Sequence, residues 1–180
     1  PWPGSAGPCR GYVNTPTEGG IRTPFMIRWP DRVKAGRISN EIVHVVDILP
    51  TLANLVDVDV PDDRIIDGVD QGDFFFAGKE KSAREEFPIF FDKIEAYKWR
   101  NWKVHFNKPK DILESTETRK YPWVYNVMLD PTEERDLFGE GKIEGFWILP
   151  HIGKRINEFK QSLEREPPIK PGTKDPYIPQ

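Results

Sequence analysis

Cysteine is nearly absent from this sequence: Cys9 is the single cysteine among 180 residues, so no disulfide can form within the chain. Histidine is also scarce, and the three histidines are more than forty residues apart, a spacing that matches no zinc-ligand motif. Long apolar runs are missing, since no stretch approaches the roughly 20 residues that a membrane-spanning helix needs. These absences exclude a disulfide-stapled domain, a zinc module and a helical membrane span within this sequence.

The sequence also lacks an excess of positive charge. Lysine and arginine number 26 against 29 aspartates and glutamates, the net charge is −3, and the two signs are interspersed. The pattern indicates no basic face for nucleic acid, and we expect neither nucleic acid nor a membrane among the partners. No signal peptide is visible, which leaves the localisation open.

The acidic residues form no recognisable metal cage. Asp57, Asp59, Asp62 and Asp63 follow one another closely. They lack the ligand spacing, the glycine and the final glutamate of an EF-hand loop. We predict a solvated acidic turn at this position and no metal-binding residue in the chain.

Aromatic residues and prolines are plentiful. The 11 Phe, 6 Trp and 5 Tyr are enough to build a buried core. The 18 prolines cluster at both ends and at residues 24–30, where they shape loops and an extended tail. The tryptophans could form a carbohydrate platform, but their positions in apolar runs favour core roles for Trp29, Trp102 and Trp123.

The first half of the sequence predicts little regular structure. Residues 1–23 have the composition of a loop, and the apolar run from Phe25 to Trp29, between two prolines, predicts a strand buried on both faces. A helix is predicted from Asp47, a good N-cap with a proline in the first turn. The apolar face of this helix comprises Ile48, Leu52, Leu55 and Val56. An acidic loop is predicted to follow.

The second half predicts an antiparallel sheet. Four runs with the period of a strand are separated by turns, at residues 88–91, 94–99, 102–107 and 123–129. In the third run, apolar residues alternate with Lys103, His105 and Asn107. This alternation predicts one buried face and one face open to water, or to a substrate cleft.

A final helix is predicted after Pro150, where apolar residues recur three and four positions apart until Pro167 ends the pattern. The elements together predict an α+β fold in three segments: residues 1–80 with a loop, a buried strand and a helix, residues 81–166 with the antiparallel sheet and its helix, and a proline-rich tail at residues 167–180. The strand is the weak point, because a strand buried on both faces needs neighbours that the surrounding sequence does not offer.

Several short sequence motifs occur in a fixed order along most of the chain. They are Glu-Gly-Gly-Ile-Arg-Thr-Pro at 18–24, Arg-Trp-Pro at 28–30, Ala-Gly-Arg at 35–37, Asp-Ile-Leu-Pro-Thr-Leu at 47–52 and Asp-Gly-Val-Asp at 67–70. In this order they resemble the C-terminal half of a sulfatase of the arylsulfatase type. Trp-Arg-Asn-Trp-Lys at 99–103 and the stretch at 125–137 resemble the closing sheet of that family.

The resemblance implies an α/β fold of the alkaline-phosphatase type that ends in a small antiparallel sheet packed by a C-terminal helix. It also implies hydrolysis of sulfate esters by a formylglycine, made from a Cys or Ser in a Cys/Ser-x-Pro-x-Arg motif, with a divalent cation, usually calcium. Cys9 is followed by Arg-Gly-Tyr-Val and does not fit that motif. We expect the nucleophile and the calcium ligands to lie outside this sequence, which would then begin inside a longer protein, and we expect neither activity nor calcium binding from this chain alone.

The resemblance also singles out positions near the Glu-Gly-Gly phrase. Many sulfatases carry a sulfate-binding lysine five residues before the glutamate, where this sequence has a valine, so that role is lost or taken elsewhere. The substrate-facing candidates are Arg10, Val13, Asn14 and His105. The residues expected to shape the loop are Glu18, Gly19, Gly20 and Arg22. The carboxylate can accept loop N–H groups, the glycines permit positive φ or close approach of the backbone, and the arginine can brace the carboxylate.

Two other functions remain open from the residues alone. The chain could be a non-catalytic module that uses a sulfatase subdomain to bind a sulfated or plain glycan, since it lacks the usual lysine and the nucleophile motif. It could also be a module for interaction with another protein, which only the proline-rich tail supports. The expected partners are the missing N-terminal part of the sulfatase, or a second copy paired through residues 1–57, and a sulfated small molecule or glycan as the substrate of the whole enzyme.

Overall fold

The computed structural model describes residues 6–62, 65–91, 93–107, 117, 119–167 and 172–173. Its helices are α1 (Glu18–Ile21), α2 (Ile48–Leu55), α3 (Gly72–Phe76) and α4 (Ile148–Arg165), with a 3₁₀ turn at Val45–Asp47 directly before α2. Its strands are β1 (Glu86–Phe90), β2 (Ile94–Trp99), β3 (Trp102–His105) and β4 (Trp123–Asn126). None of the helices in these ranges is long and apolar enough to cross a membrane. The α+β prediction is confirmed, while most of the predicted tail lies outside the described residues.

The four strands form one antiparallel sheet in chain order, β1-β2-β3-β4. The predicted hairpin between β2 and β3 is present, and Arg100 in its turn adopts a left-handed φ of 51°. Two strands are shorter than predicted, because β3 ends at His105 and β4 ends at Asn126. At the second of these ends, the backbone and side-chain oxygens of Asn126 accept the N–H of Leu129, which turns the chain out of the sheet.

Helix α4 packs against one face of the sheet. The buried core between them consists of Tyr97, Val104, Val124, Ile148 and Ile152. Burial of each isoleucine side chain contributes about 1.5–3 kcal/mol. The helix begins at Ile148 and includes Pro150, because the first turn of a helix tolerates proline.

The opposite face of the sheet is also covered, which corrects the prediction of a wet or cleft-facing surface. Lys103 and His105 are buried there, and Asn107, which follows the end of β3, is buried as well. Glu18 and Glu133, which come from two other segments, lie over this face and pair with its cations. A polar face can be buried when groups of opposite charge satisfy it, and that pairing depends on segments far away in the sequence.

The prediction of a buried strand from Phe25 to Trp29 is wrong. These residues are not assigned to a strand, and Met26 is 89% exposed. The segment is held by ring contacts to helix α3, with centroid distances of 5.6 Å from Phe25 to Phe75 and 5.5 Å from Trp29 to Phe76. A strand needs a neighbour for its backbone N–H and C=O groups, and none of the described strands pairs with this segment.

Asp47 organises the chain between the 3₁₀ turn and β1. Its fully buried carboxylate accepts hydrogen bonds from the backbone N–H of His44 and Val69, both at 2.9 Å, and from Arg84 Nη2 at 2.6 Å. The residue directly precedes α2, as predicted, but its side chain does not cap that helix. It instead ties three segments together, and these hydrogen bonds lower the pKa of its carboxyl although burial opposes ionisation.

The apolar face predicted for α2 is present but largely unburied. Leu52 is 51% exposed, and Val56, which follows the helix, is exposed as well. The predicted acidic loop ends at Asp73, so helix α3, which begins at Gly72, overlaps only its last two residues; the helix buries Phe74 and Phe75. The three consecutive phenylalanines that begin at Phe74 are the sequence feature that could have indicated a buried element here.

Candidate functional site

The Glu-Gly-Gly phrase forms the single helical turn α1, folded tightly against the preceding loop. A Cβ atom added to Gly20 would lie 2.2 Å from the backbone oxygen of Thr15, and one added to Gly19 would lie 2.5 Å from that of Gly11. Neither distance is sterically possible without a shift of the backbone. Both positions therefore require glycine because of close approach, and neither has a positive φ.

Glu18 is buried beneath this turn, and its carboxylate accepts hydrogen bonds from two lysines of the sheet. Lys98 Nζ lies 2.6 Å from Oε2, and Lys103 Nζ lies 3.3 Å from Oε1. On the solvent side, Arg22 Nε lies 3.4 Å from Oε2. The acceptor groups of Glu18 thus face lysine and arginine rather than the loop N–H groups that the sequence suggested.

Glu133 supplies a second buried carboxylate from the turn that follows β4. Its Oε1 accepts hydrogen bonds from the backbone N–H of Glu18 at 2.6 Å and from Lys103 Nζ at 3.2 Å. Its Oε2 lies 2.5 Å from His105 Nε2. We call the five buried side chains the charge cluster: Glu18, Lys98, Lys103, His105 and Glu133.

The charge cluster keeps both carboxylates ionised. Burial opposes ionisation of Glu133, but the hydrogen bond from His105 and the charge of Lys103 outweigh it and lower the pKa of Glu133 to about 2. Burial likewise opposes ionisation of Glu18, and the charges of Lys103 and Lys98 lower its pKa. A carboxylate held in this way is an anchor, and the lowered pKa argues against Glu18 as a general acid or base at neutral pH.

Arg10 lies at the edge of the charge cluster, fixed by its backbone on both sides. Its N–H donates to the oxygen of Pro131 at 3.2 Å, and its own oxygen accepts the N–H of Gly19 at 2.7 Å. Its guanidinium donates to the backbone oxygen of Glu133 at 3.4 Å. Arg10, Arg22, Lys98 and Lys103 are thus four cations near the two carboxylates of the charge cluster, which gives this region a local excess of positive charge.

A broad cleft of about 1280 Å³ opens beside the loop, between it and the segment that follows. Val13, Arg22 and Lys98 line it, and Val13 is 74% exposed. The other three substrate-facing candidates do not line it: Arg10 lies against the turn at residues 131–133, Asn14 is an exposed residue with a φ of 67°, and His105 is buried under Glu133. The structure therefore places one of the four candidates, Val13, in the cleft.

The part of the chain that the structure describes holds no group of three or more His, Cys, Asp or Glu side chains arranged for a metal ion. The carboxylates of the charge cluster are occupied by lysine and histidine, and Asp57, Asp59 and Asp62 are exposed. Asp63 lies outside the described residues. The donor set on these residues does not fit the calcium ion that the resemblance implies.

The sequence interpretation overlooked Glu133 and Lys98, and it assigned Lys103 to a face open to water or to a cleft. One signal was present in the predicted hairpin, where Lys98 pairs directly with Lys103. Like charges opposite each other on one face destabilise a sheet, and a carboxylate between them relieves that repulsion. Which carboxylates do so depends on contacts across 80 and 115 positions of sequence, which no local pattern reveals.

Comparison with known proteins finds similar sequences and a family model that matches most of the chain. The family model described as N-sulphoglucosamine sulphohydrolase, C-terminal, matches residues 16–162. Mouse steryl-sulfatase is 32% identical over 186 aligned residues, which cover 91% of this chain and 30% of that protein. Human arylsulfatase D is 27% identical over 173 residues, covering 83% of this chain and 29% of that protein.

A solved structure shares the fold. The crystal structure of PsFucS1 sulfatase from Pseudoalteromonas sp. superposes with a TM-score of 0.79 at 26% identity, over 91% of this chain and 34% of that one. The chain thus spans about a third of the length of the relatives that it matches.

Proposed function

The chain belongs to the sulfatase family, and from this premise we propose that it forms the C-terminal part of an enzyme that hydrolyses sulfate esters. The family match over residues 16–162 and the share of about a third of each relative support this assignment. The observation that carries it further is the Glu-Gly-Gly loop, which is anchored on the sheet and lines a cleft with exposed positive charge. In this proposal the loop forms one wall of the active site.

The groups that perform the chemistry belong to other parts of the enzyme. Cys9 does not stand in the motif from which the family makes formylglycine, and the described residues do not fit a calcium site. A transition state is stabilised only by groups that are positioned together, so we expect no hydrolysis from these 180 residues alone. The formylglycine and the calcium ion come to the proposal from the family resemblance.

We assign recognition of the sulfate anion to Arg22. Val13 carries no charge where many sulfatases have a lysine, but Arg22 lines the same cleft and its side chain is 49% exposed. The carboxylate that Arg22 contacts already has two lysine partners, which leaves the guanidinium available to an anionic sulfate. Lys98 lines the cleft as well, but its side chain is only 8% exposed, so Arg22 is the more accessible of these two cations.

The apolar segment at residues 25–58 is the surface on which the rest of the enzyme packs. The large apolar side chains that this segment exposes are Phe25, Met26, Trp29, Ile38, Val45, Val46, Leu49, Leu52, Val56 and Val58. In this proposal these side chains form one interface, because large exposed apolar patches are uncommon on a stable monomer. In the isolated chain the same surface is open to a second copy.

The test compares the full-length protein that carries this sequence with the 180-residue chain, both assayed on a chromogenic aryl sulfate with calcium present. We expect turnover from the full-length protein and none from the chain. Arg22→Gln should raise KM by about tenfold, the effect of losing one charge-assisted hydrogen bond, while Arg135→Gln, an exposed arginine outside the cleft lining, should change nothing.

Two outcomes would contradict the proposal. Turnover by the isolated chain that survives repurification and disappears in Cys9→Ser would reveal a nucleophile in this part of the sequence. Binding of sulfated glycans by the full-length protein, without hydrolysis of any sulfate ester tried, would favour the non-catalytic binding module.

A further inference from the structure

Glu133 is an unusual residue for a turn on this sheet. It is buried and ionised, and its backbone adopts a left-handed φ of 53°, a conformation that is costly for any residue with a side chain. Its neighbour Glu134 is exposed. Backbone strain and a buried charge at one position persist only where the surrounding contacts enforce them, so the contacts of Glu133 are informative.

Those contacts converge on the start of α1. The first N–H groups of a helix have no partner within the helix, and the residue before this one, Thr17, makes no side-chain cap. Glu133 Oε1 fills that role from 115 positions away by accepting the N–H of Glu18 at 2.6 Å. The same turn accepts the guanidinium and the N–H of Arg10 through backbone oxygens.

The cations under Glu133 fix where its carboxylate lies. Lys103 Nζ, at 3.2 Å, and His105 Nε2, at 2.5 Å, both belong to β3, so the position of the carboxylate is set by the sheet. The sheet is in turn packed on α4 through its other face. A continuous set of contacts thus leads from the apolar core, through Glu133, to α1 and the cleft.

We propose that Glu133 is a positioning residue, which sets the place of Arg22 and of the loop wall in the cleft by holding the start of α1. The proposal rests on the proposed function for its link to catalysis, but its geometric part can be tested without any activity. It does not make Glu133 a catalytic residue, because the side chain is buried behind the loop.

The single cysteine reports on the loop directly. Cys9 is half-buried, and its Sγ lies 3.7 Å from Arg22 Nη1. We expect Glu133→Gln, which removes the charge, to increase the rate of Cys9 alkylation by iodoacetamide in the native 180-residue chain by about tenfold, as expected for loss of one charge-assisted buried hydrogen bond. Glu134→Gln, a charge-removing change at the exposed neighbour, is the control and should leave the rate within about twofold of wild type.

The unaltered chain provides a second measurement in case Glu133→Gln does not fold. The amide of Glu18 should exchange with deuterium as slowly as that of Val124 in the sheet, since each N–H donates to a carboxylate, that of Glu133 and that of Asp136 respectively, and both Glu18 and Val124 are buried. Fast exchange at Glu18, or alkylation of Cys9 that is unchanged in Glu133→Gln, would overturn the proposal.

The effect of Glu133→Gln on catalysis is measured in the full-length protein. Glu133→Gln should raise KM for the aryl sulfate by about tenfold with a smaller change in kcat, because a displaced wall weakens substrate binding. If wild type does not hydrolyse sulfate esters while the alkylation result holds, the proposed function fails and the positioning role stands. If wild type is active and Glu133→Gln changes neither KM nor alkylation, the positioning role fails alone.

Discussion

The part of the chain before Glu86 and the part after it bury different kinds of side chain. Among the described residues, nine of the eleven buried hydrophobic ones lie between Ile89 and Ile152, in the sheet and α4. Before Glu86 the buried set is dominated by polar groups such as Asp47, Thr51 and Gln71, while large apolar side chains lie exposed. The later part has an apolar core of its own, and the earlier part is held by hydrogen bonds.

This difference indicates how each part is stabilised. An apolar core is cooperative and needs no partner beyond the sheet and helix that form it. A segment held by a few buried carboxylates keeps its local shape, but its apolar surface gains stability only when something covers it. The contrast is what the proposed position of this chain inside a larger sulfatase would produce.

The largest single effect is expected at Asp47. Asp47→Ala removes the buried partner of Arg84 and two backbone hydrogen bonds, and should reduce the free energy of unfolding by about 4 kcal/mol. Asp59→Ala, an exposed aspartate of the same part, should change it by less than about 0.5 kcal/mol. Urea denaturation measures both, and equal effects would mean that Asp47 does not organise this part.

Truncation of an apolar side chain should cost more stability in the later part than in the earlier part. Ile152→Ala leaves a cavity under α4 and should cost about 3 kcal/mol. Leu52→Ala, on the half-exposed face of α2, should cost less than about 1 kcal/mol in the isolated chain. A large cost at Leu52 would show that the earlier part buries an apolar core after all.

Acid should destabilise the later part through the charge cluster. The pKa of Glu133 is lowered from 4.5 to about 2 on folding, so its contribution is fully present above pH 4.5 and is lost as the pH falls toward 2. By linkage, about 2 kcal/mol should disappear between pH 7 and pH 3. The pKa of Glu18 is shifted in the same direction and adds to the loss. Urea denaturation between pH 7 and pH 3 measures this loss of stability. The control is Glu133→Gln, whose free energy of unfolding should depend much less on pH.

Self-association of the isolated chain should be the weakest effect. We expect concentration-dependent dimers or larger species at tens of micromolar, where an association free energy of about −6 kcal/mol is enough to populate them. Met26→Lys, which places a charge on the exposed segment, should shift light scattering toward monomer, whereas Met128→Lys on the later part should not. A wild-type chain that stays monomeric at these concentrations would contradict the expectation.

The sequence predicted the sheet better than it predicted the site. The hairpin at Arg100 and the core residues of β2 and β3 follow from alternation along a few residues, which is local information. The strand at Phe25 was wrong because an apolar run is a strand only when other strands pair with it. The role of Glu133 was not visible because its partners are 28, 30 and 115 positions away.

The most direct test of the account is amide hydrogen exchange, measured on the isolated chain and on the full-length protein. We predict slow exchange at Val104 and Val124 in both, because these strand residues lie in the core of the later part. The amides from Phe25 to Ile27 should exchange fast in the isolated chain and slowly in the full-length protein, because we propose that the remainder of the enzyme covers them there. Exchange from Phe25 to Ile27 as slow as at Val104 in the isolated chain would contradict the account, since this part would then be complete without a partner.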